Sequence, residues 1–324
     1  MDLRAIEYRQ LAQIMSIFLI VQFFGILLAT QVYTGTTVQQ IQGTQVASSA
    51  VTVLFYVGYM ILFVAVLLLI LKVYKGDKLF FVFEGVVVFI SSVLVFLIVV
   101  GALAGSAPDS FLNGPFFQLA AAVMLAAALV VAKNKWPKLR NTAAIIAATG
   151  VGAILGVSFS FFAAFIFMII IAVYDFIAVF VTKHMITMAK AMSSRNLAFL
   201  VGVEELEGIP VGDLDVRNRR LYQKEKKELA GRGGILKKMV SMNLAPVPAR
   251  IMLGTGDLAI PLMVETAAYK VSLNFLPSMF AAVGALFGLV LNMWVLKRYN
   301  RPLPAIPLLL FGISLSLAVY FLLF

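Results

Sequence analysis

From Thr142 to Val181 the chain has no Lys or Arg, and its only charged side chain there is Asp175. As one helix, those ~40 residues would extend ~60 Å, twice the ~30 Å hydrocarbon core of a bilayer. The run therefore predicts two membrane-crossing helices joined by a tight turn near Gly156 to Ser160. Composition agrees. The chain is 62% hydrophobic and 13% charged, against roughly 25% charged in an average soluble domain. The apolar runs are continuous and lack the short alternation of a barrel strand, so the fold class is an all-α, polytopic membrane protein.

Seven further spans are expected, at about Leu11 to Thr30, Val51 to Leu71, Leu79 to Leu103, Pro115 to Val131, Ile251 to Lys270, Ser272 to Leu296 and Pro302 to Phe324. With the pair above the count is nine transmembrane helices. The chain then divides into helices 1–6 over residues 1–182, a cytoplasmic loop over 183–249 and helices 7–9 over 250–324. That loop carries Glu204, Glu205, Arg219, Arg220 and the run Lys224 to Glu228, with room for a short amphipathic helix at Leu221 to Leu229.

The net charge of +11 invites a nucleic-acid reading, but the placement of the bases argues against it. With a cytoplasmic N-terminus, all but Lys270 of the 26 Lys and Arg residues fall on the inner side, as the positive-inside rule requires. The protein is thus expected to be integral to a membrane (the cell membrane if prokaryotic), with no nucleic-acid partner.

A carboxylate within a span costs roughly 2.5–3.5 kcal/mol at a helix centre and marks a functional site by default. Asp175 lies in the sixth span, eight residues before Lys183, and Asp257 in the seventh, seven residues after Arg250. At helical rise both acids sit ~10–12 Å from the inner end, on consecutive spans that are expected to be neighbours. Two carboxylates a few ångströms apart share a proton. The ionised one then activates water while the protonated one donates to a peptide carbonyl. Gly254 and Gly256 flank Thr255 just before Asp257 and are expected to loosen the helix there.

These residues carry a resemblance. Tyr174-Asp175 and Gly254-Thr255-Gly256-Asp257 resemble the YD and GxGD motifs of the presenilin and signal peptide peptidase family. Pro304-Ala305-Ile306, at the start of the ninth span, resembles that family's Pro-Ala-Leu, with Ile306 in place of leucine. The short loops suggest an archaeal or other microbial member. The resemblance implies an intramembrane aspartyl protease with Asp175 and Asp257 as its dyad and Pro304 to Ile306 shaping the site and receiving substrate. It implies transmembrane peptides or proteins as substrates, no cofactor and no obligatory partner subunit. Self-cleavage within the 183–249 loop stays open.

Other features have plainer readings. The lone His184 and the absence of cysteine leave no metal cluster and no disulfide framework. Glu84 and Glu265 are expected near the interfaces, Glu265 satisfied by Lys270 or water. Gly101 with Gly105, Gly152 with Gly156 and Gly284 with Gly288 fit close helix packing within the chain. Pro261 is expected to kink the seventh span. The rival function is a secondary transporter using the two acids as a proton or cation relay.

Overall fold

A computed structural model describes residues 8–34, 78–105, 114–136, 139–181, 200–213, 222–223, 241–242, 244–272, 274–299 and 303–324, with isolated positions from 51 to 66. The expected second span, the 221–229 helix and His184 lie wholly or largely outside them. Eight α-helices appear among the described residues. They are α1 (Tyr8–Thr34), α2 (Lys78–Gly105), α3 (Pro115–Lys135), α4 (Leu139–Ser158), α5 (Phe161–Phe176), α6 (Thr255–Ser272), α7 (Phe275–Tyr299) and α8 (Ile306–Leu323). Seven of them are long and apolar enough to cross a membrane. The eighth, α6, is not.

The reason is its setting. Helix α6 packs against α1, α4, α5, α7 and α8, and nearly every residue from Leu258 to Tyr269 is buried. A helix surrounded by protein rather than lipid can carry Asp257, Glu265 and Thr266, because its solvent is other side chains.

The long run from Thr142 does break in two. Helix α4 ends at Ser158, and Ser160 caps α5 by accepting a hydrogen bond from the Ala163 N–H at 3.3 Å. The hydroxyl satisfies one of the orphan donors of the new helix.

Glycines set the closest crossings. A Cβ on Gly152 would fall 2.7 Å from the Ala259 carbonyl, and one on Gly156 would collide with the Thr266 hydroxyl. On the other side, a Cβ on Gly284 would lie 2.5 Å from the Gly312 carbonyl, so α7 and α8 touch through their backbones. Gly101 and Gly105 differ, because their Cβ positions meet only Gln118 at 3.6 Å or open space.

Contacts also give helix directions. Gln22 reaches Leu258, Gly25 meets Leu262 and Tyr33 stacks on Tyr269, so α1 and α6 run parallel. Gly152 and Gly156 meet successive turns of α6 in rising order, so α4 is parallel to both. Val88 clusters with Ala143 and Ala147, and Val95 with Ala153 and Leu28. Helix α2 therefore shares that direction, whereas Glu84 pairs with Lys133 of α3, and Gly101 lies beside Gln118, so α3 runs opposite.

One expectation is corrected. The stretch from Ile251 is not helical at first. Strand β2 (Leu244–Gly254) pairs with β1 (Leu200–Pro210) in a two-stranded sheet, and α6 starts at Thr255. Pro246 and Pro248 lack N–H donors and stand two apart in β2, so both gaps fall on the same edge of a regular strand. Gly202–Met252 is one compact unit, and the remaining residues form the other.

Candidate active site

Asp175 is the next-to-last residue of α5, and the chain passes directly into a π-helical turn, Ile177–Val181. Such turns widen a helix and often accompany functional sites. Asp175 is buried, 2% exposed, and neither carboxyl oxygen hydrogen-bonds to a described residue. Facing it is the backbone N–H of Ile306.

That donor is free for a local reason. Ile306 opens α8, Pro307 has no N–H, and the Leu308 and Leu309 N–H groups both turn back to the Ala305 carbonyl at 3.2 and 3.1 Å. Among the described residues, Ile306 thus holds the first turn's outward-facing donor. Pro304, Ala305 and Ile306 are all buried, which fixes that donor's position.

Asp257 occupies the first turn of α6 and is half-buried. Its Oδ2 accepts a hydrogen bond from the Gly254 N–H at 3.3 Å. A Cβ on Gly254 would sit 3.1 Å from that oxygen, so a side chain there would crowd the carboxyl. Gly256 is exposed and its Cβ position is open. The two glycines therefore do not loosen a helix together. Gly254 ends a strand, and only Gly256 is helical. Thr255 starts α6 and is half-buried.

The two acids lie within electrostatic reach of each other. Each also meets the positive end of a helix dipole: Asp257 that of its own α6, Asp175 that of α8. Tyr174, half-buried, precedes Asp175 on α5. Seven residues on from Leu258, Pro261 being between them, Glu265 is fully buried. Pro261 also leaves the Asp257 carbonyl without its usual intrahelical donor.

One expectation for the acids fails. Glu265 is 0% exposed, its carboxyl oxygens have no partner among the described residues, and its backbone carbonyl accepts from Ser278 at 2.7 Å. The surrounding helices exclude the interface that would have satisfied it. Glu84 is buried too, and its Oε1 lies 2.7 Å from Lys133 Nζ. Sequence gave no signal for that pair, because its members are on different helices. No group of three or more His, Cys, Asp or Glu able to hold a metal occurs among the described residues.

A bundle of apolar helices that brings two acids together beneath a helix start defines a multi-pass membrane protein with an aspartate pair. The profile of the family described as signal-peptide peptidase, presenilin aspartyl protease matches residues 15–324. The chain belongs to that family of aspartyl proteases and is accordingly a hydrolase, integral to the membrane. Its fold is similar to that of a presenilin family intramembrane aspartate protease solved in two crystal forms. The C222 form matches with TM-score 0.61 and 21% identity, covering 97% of this chain and 99% of that one. The P2 form matches with TM-score 0.58 and 22% identity, covering 96% of each chain. A comparison with curated proteins returns no match.

Proposed function

We propose that Asp175 and Asp257 are the catalytic pair of an endopeptidase that cuts transmembrane segments or signal peptides within the bilayer. The observation that carries this reading is the approach of the two carboxyls from α5 and α6, with the Ile306 N–H facing one of them. One carboxylate takes a proton from water as the water oxygen bonds to the scissile carbonyl carbon. The other, protonated, gives its proton to the carbonyl oxygen. Collapse of the tetrahedral intermediate breaks the C–N bond, the leaving nitrogen takes the proton gained from water, and one hydroxyl of the intermediate returns a proton to the other carboxylate, which restores the pair. The titration belongs to the pair, so neither acid is assigned one role.

Pro304, Ala305 and Ile306 hold the Ile306 donor and wall the site beside Asp175. Tyr174 and Thr255 flank the acids on their own helices. Gly254 keeps space beside Asp257, and Gly256 leaves an opening on its exposed side. The substrate is a transmembrane peptide or protein, drawn from the bilayer, and the chain works without a cofactor or partner subunit. No observation favours the transporter reading.

Cleavage of a model transmembrane peptide by the purified protein in liposomes tests this. Asp175→Asn and Asp257→Asn should each lower turnover by about 10³-fold or more, within the range that general acid–base groups contribute, while the protein stays helical and monodisperse. Full turnover in either variant would remove the dyad.

The topology is part of the same reading. The parallel run of helices α1 and α2 supports a further membrane crossing between Thr34 and Lys78. The run Val51 to Leu71 is the apolar stretch available there. With α6 that makes nine spans, N-terminus cytoplasmic, and the 183–249 loop on the same side. The chain has no cysteine, so single introduced cysteines report cleanly. Gln40→Cys should react with an impermeant maleimide on intact cells, and Lys75→Cys only after permeabilisation. The reverse pattern would invert the orientation, and labelling of both would delete a span.

A further inference from the structure

Helices α2 and α3 leave an open groove of about 380 Å³ between them, lined by Phe81, Val82, Val86, Val130 and Val131 around a floor of Gly85 and Ala127. A Cβ on Gly85 would meet only Val130, at 4.0 Å. Phe81 to Phe89 spans ~12 Å of helix, and the groove along it is lined by apolar side chains, the surroundings an acyl chain meets in a bilayer.

Its polar end is also defined. Asn134 lines it, and Lys135 and Trp136 follow, both exposed. Lys133 is already neutralised by Glu84. Lys135 has no carboxylate within ion-pair distance among the described residues, and its Nζ sits 5.4 Å from the Trp136 ring centroid. Lys78 begins α2 at the same end of the antiparallel pair, and Arg140 follows in the first turn of α4. Basic pockets between transmembrane helices at an interface recognise anionic headgroups, and tryptophan marks headgroup depth.

We propose that this groove binds one anionic phospholipid, an acyl chain lying along Gly85 and Ala127 and the headgroup phosphate at Lys135. The site is apart from the aspartate pair, and nothing in the proteolysis reading requires it.

Trp136 reports on it directly. The chain has two tryptophans, so the full-length Trp294→Phe protein carries Trp136 alone. Its fluorescence is followed in detergent micelles titrated with phosphatidylglycerol or phosphatidylcholine brominated on the acyl chains. Phosphatidylglycerol should quench at about tenfold lower mole fraction. Lys135→Gln should bring the two lipids together, and Gly85→Leu with Ala127→Leu should abolish the preference. Equal quenching by both lipids in the Trp294→Phe protein would overturn the proposal, as would an unchanged preference in Lys135→Gln, a surface variant that does not challenge folding. Relief of quenching by an apolar transmembrane peptide at lower concentration than by unlabelled phosphatidylglycerol would also overturn it, because the groove would then be a helix-docking face.

Discussion

Helices α2 and α3 and helices α4 and α6 solve the same packing problem differently. In the first pair the contact includes a buried ion pair, Glu84 with Lys133, and Lys133 also lies 5.5 Å from the Phe81 ring centroid. A groove stays open beside it, and only 11% of the apolar window of α3 is buried. In the second pair, glycines bring backbone against backbone, and 50% of the window of α4 is buried. Without a hydrophobic drive between helices in lipid, close packing and polar contacts are the available attractions. The molecule uses packing around the aspartates and a polar clamp at the periphery. Close backbone packing leaves little freedom to the helix that carries Asp257. The clamp holds α2 to α3 while leaving their outer face to lipid.

The clamp is the place to break the comparison hardest. Lys133→Leu removes the ammonium that lies 2.7 Å from the buried Glu84, and breaking a buried pair costs about 3–5 kcal/mol. The double variant Glu84→Leu with Lys133→Leu should recover most of that loss, because a buried pair replaced by apolar groups is often neutral or better. Thermal unfolding of the single and double variants in one detergent checks this. A double variant as unstable as the single would mean the pair does more than clamp.

Next in size is the glycine crossing. Gly156→Val places branched carbon where the Thr266 hydroxyl and the Met263 carbonyl already stand. Overpacking of this kind costs about 1–3 kcal/mol. Because α6 must move to accommodate it, peptide turnover should fall further than the unfolding temperature suggests. Gly105→Ala, at a position open to space, should change neither. Equal effects of the two substitutions would show that the close crossing is not special.

The same contrast explains what was legible in the sequence. Charge periodicity separates spans wherever lipid surrounds them, so the ends of α2 and α3 and the break at Ser160 were visible in the run of bases and small residues. The glycines of α4 and α7 announced close crossings, although Gly101 and Gly105 carry the same spacing without one. Spacing alone does not say which helix arrives. Strand β2 was hidden, because the short apolar run Ile251 to Leu253 reads equally as helix or strand. Asp257 was found nevertheless, since a lone acid in an apolar run is conspicuous whatever the backbone does. The Ile306 donor was less visible, because it is a backbone group exposed by the proline after it.

Glu265 is the sharpest test, and the smallest expected effect. It and Asp175 are both buried acids whose oxygens lack hydrogen-bond partners among the described residues. Asp175 has a second acid and a helix start before it, which gives an uncompensated carboxyl something to do. Glu265 has no such setting, and Ser278 beside it already donates to its backbone carbonyl. A buried polar group without a partner lowers stability. Glu265→Leu, similar in volume, should therefore raise the unfolding temperature by about 2–4 °C, the shift that ~1 kcal/mol produces in a domain of 150–250 residues, with turnover unchanged. Glu265→Gln keeps the polar burden and should show a smaller rise. If Glu265→Leu instead lowered the unfolding temperature or turnover, the acid would have a partner that packing conceals, and the difference between it and Asp175 would be one of degree.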